Sequence, residues 1–140
     1  MGLAGDLWAQ FEVRFGSQDY DGLLELFSDD AVYTAPAGRH EGRDGIRSWF
    51  DGWAEAFSDV RFVSSLVVEQ EGAVVAEWTW RARHTGPLTM PGGASIPATG
   101  NALEFPGVTI LRVRDGRIVA ARDYQDQLES MIQLGLMPSA

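Results

Sequence analysis

The sequence lacks cysteine and lysine altogether and has only two histidines among its 140 residues. Without cysteine there can be no disulfide, no thiolate nucleophile and no cysteine-ligated zinc or iron–sulfur site. Two histidines are too few for a histidine-rich metal site, and without lysine the Gly-x-x-x-x-Gly-Lys phosphate loop cannot occur. No apolar run approaches the roughly 20 residues that a helix needs to cross a bilayer. These absences exclude cysteine chemistry, histidine-rich metal sites and phosphate-loop nucleotide binding.

The charge balance is strongly acidic, and it limits the partners. Twenty acidic residues against eleven arginines give a formal net charge of -9, which repels nucleic acid and anionic lipid, so we expect neither as a partner. The composition is that of a globular protein, with 45% hydrophobic residues, and the length predicts one domain over 1–140. The N-terminus lacks a basic start and meets acids early, so we predict no signal peptide and expect a cytoplasmic protein.

Apolar residues at helical spacing predict three helices in the first part of the chain. The first ends at Gly16. The second is capped by Asp19 or Asp21 and broken at 28–30, and the third has Asp44 as its N-cap. Their apolar faces are Leu7, Trp8, Phe11 and Phe15; Leu23, Leu24 and Phe27; and Ile46, Trp49, Phe50, Trp53 and Phe57.

The rest of the chain predicts strands, because the apolar period changes from 3.6 to 2 after Val60. A short strand over 31–35 and a turn over 37–42 precede the third helix. Long strands follow, and a Gly- and Pro-rich loop and a final helix, ended by Gly135, complete the chain. The predicted strands span 61–69, 73–85, 103–113 and 117–124, the loop 86–102, and the helix 126–134. Helices followed by hairpin-linked strands indicate an α+β fold with an antiparallel sheet.

The segment 73–85 alternates most regularly and predicts which side chains share a face. One set is apolar and ends in His84, so it faces the core or a cavity. The other set includes Glu77, Arg81 and Arg83 and faces water or a second subunit. The apolar set is Val74, Ala76, Trp78, Trp80, Ala82 and His84.

Asp123, near the end of the last predicted strand, has two interpretations. It is an exposed acid, or the cap of the final helix; or it lies inside, beside small residues that leave room for a ligand. An acid among aromatic side chains loses hydration, so its pKa rises and it can exchange protons near neutral pH.

Other candidates also have two interpretations on the residues alone. His84 is a hydrogen-bonded core histidine or a catalytic one, and Tyr33 donates a proton or simply packs. The aromatic stripe of the third helix is core or the wall of a ligand site.

The order of several short motifs resembles the nuclear-transport-factor-two-like superfamily and, within it, the SnoaL-like polyketide cyclases and their ester cyclase relatives. The resemblance covers nearly the whole chain. The matching segments are Leu26-Phe27-Ser28-Asp29-Asp30-Ala31-Val32 leading to Pro36, Gly42-x-x-Gly45-Ile46, His84-Thr85-Gly86, Pro97-Ala98-Thr99-Gly100, Phe105-Pro106-Gly107, Asp115-Gly116-Arg117-Ile118-Val119, Asp123-Tyr124-Gln125-Asp126 and Gln133-Leu134-Gly135-Leu136.

The resemblance implies a cone-shaped, curved antiparallel or mixed sheet wrapped around the N-terminal helices and enclosing a hydrophobic pocket. It implies an intramolecular aldol reaction without metal or cofactor, in which the acid matching Asp123 is the general acid/base. The family's pocket histidine has no counterpart near Val108 and Thr109. The resemblance also implies a homodimer through the outer sheet face.

Two sister families resemble parts of the chain. Ketosteroid isomerases carry a catalytic acid just before the proline, where this chain has Ala35. Limonene-type epoxide hydrolases share the ending Arg122-Asp123-Tyr124-x-Asp126, but they need an Arg-x-Asp pair where this chain has Trp78 and Trp80.

Our leading hypothesis is therefore a cofactor-independent cyclase or isomerase acting on a hydrophobic, polyketide-like substrate. Asp123 moves the proton, His84 or Tyr33 orients a carbonyl oxygen, and loop 86–102 forms a mobile rim. An epoxide hydrolase and a non-catalytic module that binds apolar ligands are the alternatives. The predicted substrate-binding residues are Trp49, Trp53, Trp78, Trp80, Phe105 and Thr109.

Overall fold

The computed structural model describes residues 2–90 and 92–138. Helices and strands follow one another in the predicted α+β order. The helices are α1 (Leu3–Gly16), α2 (Tyr20–Leu24), α3 (Gly42–Ala56) and α4 (Gln127–Gln133). The strands are β1 (Phe27–Ala35), β2 (Gly38–Glu41), β3 (Phe57–Gln70), β4 (Ala73–His84), β5 (Leu88–Thr89), β6 (Ser95–Ile96), β7 (Ala102–Arg114) and β8 (Arg117–Gln125).

Six strands form one curved, mixed sheet in the order β2-β1-β8-β7-β4-β3, and β5 pairs with β6 in a small hairpin. All neighbours are antiparallel except β1 and β8, which run parallel. Helices α1 and α3 pack on the inner face of this sheet, and α4 packs on β7. The predicted α+β fold with a cone-shaped sheet around the N-terminal helices is confirmed.

The core lies between the helices and the inner face of the sheet. On β4 the predicted alternation is confirmed, because every second residue from Val74 to His84 is buried. Opposite β4, the apolar stripe of α1 contributes Trp8 and Phe11, which are 2% and 1% exposed. Burial of such a side chain stabilises the fold by roughly 1.5–3 kcal/mol.

Among the described residues, none of the helices combines the length and the apolar character needed to span a bilayer.

Helix α1 is held at its start by a distant strand. Glu69 of β3 accepts hydrogen bonds from the backbone N–H of Gly2 at 2.7 Å and of Gly5 at 2.9 Å. These are donors that a helix cannot satisfy internally, and a carboxylate there also meets the positive end of the helix dipole. The bonds to Gly5 and Gly2 lower the pKa of Glu69. The carboxylate therefore ties α1 to the end of β3.

The structure corrects the predictions for the first half of the chain. The second helix ends at Leu24, because Phe27 pairs with Ile118 of β8 and draws 28–30, predicted as a break, into β1. Of the two predicted caps, Asp19 is the one that accepts from Gly22 N.

The boundaries of the turn 37–42 and of the third helix also differ from the predictions. Much of that turn is β2, which pairs with β1. Asp44 is not the N-cap of α3: the helix begins at Gly42, with Glu41 in the cap position, and Asp44 lies in the first turn. Phe57, predicted on the helical stripe, opens β3.

The second half follows the predictions more closely. Asp115 and Gly116, with φ of 53° and 76°, form the predicted tight turn between β7 and β8. Loop 86–102 is not structureless, since it contains the β5–β6 hairpin. Asp126 caps α4 by accepting from Glu129 N at 3.0 Å, and Gly135 follows the helix with φ of 79°.

Candidate active site

Asp123 is buried on β8, with 7% of its surface exposed. Its Oδ1 accepts a hydrogen bond from Thr109 Oγ1 at 2.7 Å. The Tyr33 hydroxyl lies 3.0 Å from both carboxylate oxygens. The interpretations of Asp123 as an exposed acid or as a helix cap are therefore wrong, the latter because Asp126 caps α4.

The sheet register explains why these three side chains meet. Thr109 on β7 lies directly opposite Asp123 in the antiparallel ladder. Tyr33 on β1 pairs with Ala121 of β8, two residues from Asp123 and therefore on the same face. A bulge at Val119, between the pairs at Ile118 and Ala120, buries Ile118 on the core side of β8, although strict alternation predicts Ile118 on the opposite face.

A second hydrogen bond holds Thr109 in place. The indole Nε1 of Trp78 donates to Thr109 Oγ1 at 2.8 Å. Since the threonine oxygen accepts from Trp78, its single proton is free to be donated to Asp123. Gly107, opposite Trp78 in the β4–β7 ladder, leaves room for the ring: a Cβ at that position would overlap the Trp78 indole.

Burial raises the pKa of Asp123 from 3.8 to about 6, and hydrogen bonds to Thr109, Tyr33 and Gln125 oppose the rise only in part. At pH 7 the carboxyl is therefore mostly ionised yet ready to accept a proton. Burial, together with the charge of Asp123, raises the pKa of Tyr33 well above its usual value, so Tyr33 stays protonated and donates.

Two adjacent spaces lie in front of the carboxylate. An outer cavity of about 150 Å³ is open to solvent, and a chamber of about 10 Å³ surrounds Asp123. The chamber has the size of roughly one water-sized probe, so a larger group can reach Asp123 only if side chains move. Four residues line both spaces and separate them: Trp49, Trp53, Phe105 and Gln125.

A family profile, the SnoaL-like domain, matches residues 8–121. The chain belongs to the SnoaL-like domain family. The predicted resemblance to SnoaL-like proteins of the nuclear-transport-factor-two-like superfamily is thereby confirmed. The matched span ends two residues before Asp123, so family membership alone assigns this residue no role. A search of curated proteins gives no match.

Solved structures share the fold of this SnoaL-like domain over almost its whole length. AclR of Streptomyces galilaeus, a proposed hydroxylase, has a TM-score of 0.83 at 21% identity, covering 98% of this chain and 83% of its own. TsrD of Streptomyces laurentii has 0.81 at 24%, covering 96% of both chains. IdmH of Streptomyces antibioticus, a proposed polyketide cyclase, has 0.75 at 26%, covering 94% of this chain and 98% of its own.

The structure brings most of the predicted site residues of this SnoaL-like domain into one place. Tyr33 and Asp123 line the chamber, and so do all the residues predicted to bind substrate. These are Trp49, Trp53, Trp78, Trp80, Phe105 and Thr109. Loop 86–102 lines the outer cavity through residues 87–90, as expected for a rim, and its mobility stays a prediction.

His84 is the predicted residue that the structure does not bring to Asp123. It is fully buried at the end of β4 but lines neither the chamber nor the outer cavity. Its Nδ1 accepts from the backbone N–H of Thr99 at 3.2 Å and lies 2.9 Å from the Thr99 hydroxyl. Burial lowers the pKa of His84, with the Gly86 backbone opposing this, so the ring is neutral at pH 7. In this arrangement His84 anchors the loop.

Two residues near the site were missed. Gln125 lines both spaces, and the signal was available, because it lies two residues after Asp123 and shares its face of β8. His40 stacks on Trp49 with ring centroids 5.1 Å apart and the planes at 16°, a contact that the sequence does not indicate. Within 2–90 and 92–138 no group of three or more carboxylate or imidazole side chains could hold a metal ion.

Proposed function

We propose that this SnoaL-like domain is a cofactor-independent enzyme that transfers protons, an aldol-type cyclase or isomerase acting on a hydrophobic, polyketide-like substrate with Asp123 as general acid/base. The observation that carries the proposal is a buried carboxylate with a pKa of about 6 at the end of an aromatic cavity. Membership of the SnoaL-like family, and the 26% identity to IdmH, a proposed polyketide cyclase, support a cyclase-type reaction.

The proposed chemistry uses one carboxyl group in both directions. Asp123 accepts a proton from an activated substrate carbon, and the electron pair of the C–H bond moves onto the neighbouring carbonyl oxygen to form an enolate. In a cyclisation the enolate carbon attacks a second carbonyl of the same molecule, and the resulting alkoxide takes the proton back from Asp123. In an isomerisation the proton returns to a different carbon.

The neighbours of Asp123 position it and tune its basicity. Thr109 and Tyr33 donate to the carboxylate and keep its pKa from rising further. Because the Tyr33 hydroxyl contacts both oxygens of Asp123, we assign it to holding the carboxylate and not to the substrate carbonyl. Four tryptophan rings, including Trp49 and Trp53, supply an apolar wall that limits the access of water and strengthens these interactions.

The proton-transfer step can be tested without knowing the natural substrate. Benzoylacetone is a small aromatic 1,3-diketone with an acidic C–H, and its exchange with D₂O is followed by NMR. We expect wild-type protein to accelerate the exchange, with a rate that rises through pH about 6 as Asp123 ionises. Asp123→Asn should abolish the acceleration, and the exposed Asp51→Asn on α3 should retain it. Equal acceleration by Asp123→Asn would sink the proposal and favour a non-catalytic binding module.

The outer face of the sheet supports a second proposal, a homodimer. The predicted residues Glu77, Arg81 and Arg83 are exposed there, beside an apolar patch that the strand alternation did not single out. Val63, Val68 and Tyr124 are 63%, 53% and 55% exposed, respectively. An apolar sheet face of this kind is typical of an interface. Light scattering at micromolar concentration should give twice the chain mass, and Val68→Arg should halve it; a wild-type monomer would remove the inference.

A further inference from the structure

The Trp80 indole has a buried N–H without an acceptor. Trp80 is 2% exposed and lines the Asp123 chamber, and its Nε1 has no hydrogen-bond partner within the described residues. Buried indole N–H groups normally find a partner. Two other tryptophans of this chain do so: Trp78 donates to Thr109, and Trp8 donates to Ser64 at 2.9 Å. The Trp80 N–H is therefore an exception that needs an explanation.

The surroundings of Trp80 explain why no protein group satisfies it. Its ring is enclosed by Trp53, Phe57 and Phe105, with centroids 5.0, 4.9 and 5.0 Å away. None of these side chains offers an oxygen. Since no described protein group accepts from it, the Trp80 N–H is available to a water or to an oxygen of a ligand.

The other buried polar groups of the chamber are already committed to one another. The protons of Thr109 and Tyr33 are both directed to Asp123, and the Trp78 N–H is directed to Thr109. Among the buried donors that the structure describes in this chamber, Trp80 has the uncommitted one. The chamber thus combines a proton acceptor, Asp123, with a buried donor that no described protein group engages.

We propose that the Trp80 N–H binds the carbonyl oxygen of the substrate, the atom that becomes the enolate oxygen when Asp123 takes the neighbouring proton. This inference rests on the proposed function and deepens it. The C–H electron pair ends on the oxygen, the proton ends on Asp123, and the indole stabilises the new charge without giving up its own proton. A donor fixed in a buried chamber suits this task, because it needs no reorganisation as the charge develops. The ligand class is then a ketone or enol whose oxygen lies next to an acidic C–H.

The first test uses wild-type protein and the indole N–H signals in a ¹H–¹⁵N spectrum. The probe is 2-naphthol, a planar aromatic alcohol whose oxygen resembles that of an enol. On saturation we expect the Trp80 signal to move downfield, as a proton does on entering a hydrogen bond, while the Trp8 signal stays in place. If 2-naphthol leaves the Trp80 signal unchanged, the proposal is overturned, because the N–H then points at a ring face or is otherwise unavailable.

The second test replaces Trp80 by Phe and compares it with Trp8→Phe. Removing a donor that has no protein partner should leave the urea midpoint equal or higher, while benzoylacetone exchange falls about 10²–10³-fold with a smaller change in KM. Trp8→Phe loses the bond to Ser64, so its midpoint should fall while exchange is retained. Unchanged exchange in Trp80→Phe would contradict the proposal.

The two proposals fail in different ways. If Asp123→Asn exchanges as fast as wild type, but 2-naphthol still shifts the Trp80 signal and binds more weakly to Trp80→Phe, the oxygen site stands and the acid/base role falls. If exchange depends on Asp123 but not on Trp80, the acid/base role stands and the oxygen site falls.

Discussion

Relative to wild type, the Asp123→Asn variant should gain stability as the pH rises. The folded protein holds this carboxyl at a pKa of about 6, against 3.8 for the ordinary group, because burial disfavours its charged form. A raised pKa means that the native state binds the proton more tightly than the unfolded chain does. The stabilisation by the neutral acid is then fully present below pH 3.8 and is lost as the pH rises through 6.

The magnitude follows from the shift. About two pKa units correspond to about 3 kcal/mol at roughly 1.4 kcal/mol per unit. Asparagine does not titrate, so any fixed cost of placing an amide beside Thr109 and Tyr33 is the same at every pH. The difference in unfolding free energy between Asp123→Asn and wild type should therefore move by about 3 kcal/mol in favour of the variant from below pH 4 to pH 7.5.

Urea unfolding of both proteins across this pH range measures the difference directly, and other carboxylates cancel because both proteins contain them. The control is Asp51→Asn, whose exposed side chain should give a difference that does not vary with pH. A pH-independent difference for Asp123→Asn would refute the argument that burial dominates at this residue. A difference that moved in favour of wild type with rising pH would mean that hydrogen bonds dominate instead.

Three further predictions concern the supports of the site and of α1. Thr109→Val removes a donor that lowers the pKa of Asp123 and leaves the Trp78 N–H without its acceptor. The midpoint of the pH profile of benzoylacetone exchange should therefore move to higher pH, and the unfolding free energy should fall by about 1–3 kcal/mol. Thr109→Ser should restore both, and an unmoved midpoint would contradict the role of Thr109. Gly107→Ala forces the Trp78 ring to move and should lower the unfolding free energy, measured by heat or urea, by about 1–3 kcal/mol. Gly52→Ala on α3, where a Cβ would have nothing within 4 Å, should be neutral or stabilising. Equal effects of the two substitutions would contradict the packing argument. Glu69→Gln should weaken the start of α1, which faster amide hydrogen exchange there would show. Because the pKa of Glu69 is lowered, the carboxylate stabilises the fold at neutral pH and this stabilisation is lost as the pH falls through the lowered pKa. A variant that exchanges like wild type at pH 7 would refute the role of Glu69 in holding α1.

The sequence predicts the fold well where local pattern and burial agree. Strand β4 alternates strictly, and this alternation alone assigns its inner face from Val74 to His84. The turn at Asp115 and Gly116 is equally clear, since both residues tolerate positive φ. The start of β1 could not be predicted, because Ser28-Asp29-Asp30 disfavours a strand locally. These residues form an irregular part of β1, between the pairs that Phe27 and Val32 make with β8 from far along the chain.

The candidate site was predictable in its members more than in its connections. Face and motif indicate Asp123, Tyr33 and the tryptophans, but the hydrogen bonds among Trp78, Thr109 and Asp123 depend on strand register. The register of three strands depends on residues far apart in the chain, and a slip of one residue would move each side chain to the opposite face of the sheet. The same limit explains His84: it shares the face of Trp80, but it lies four residues along the strand, roughly 13 Å away, and outside the chamber.

The central claim is that Asp123 is a desolvated carboxyl that exchanges protons near neutral pH. A ¹³C NMR titration of the side-chain carboxyl signals, with Asp123→Asn to assign the resonance, measures its pKa directly. The account predicts a midpoint of about 6. A midpoint near 3.8 would show that the carboxyl is effectively hydrated or held as a permanent anion, and it would contradict the acid/base role.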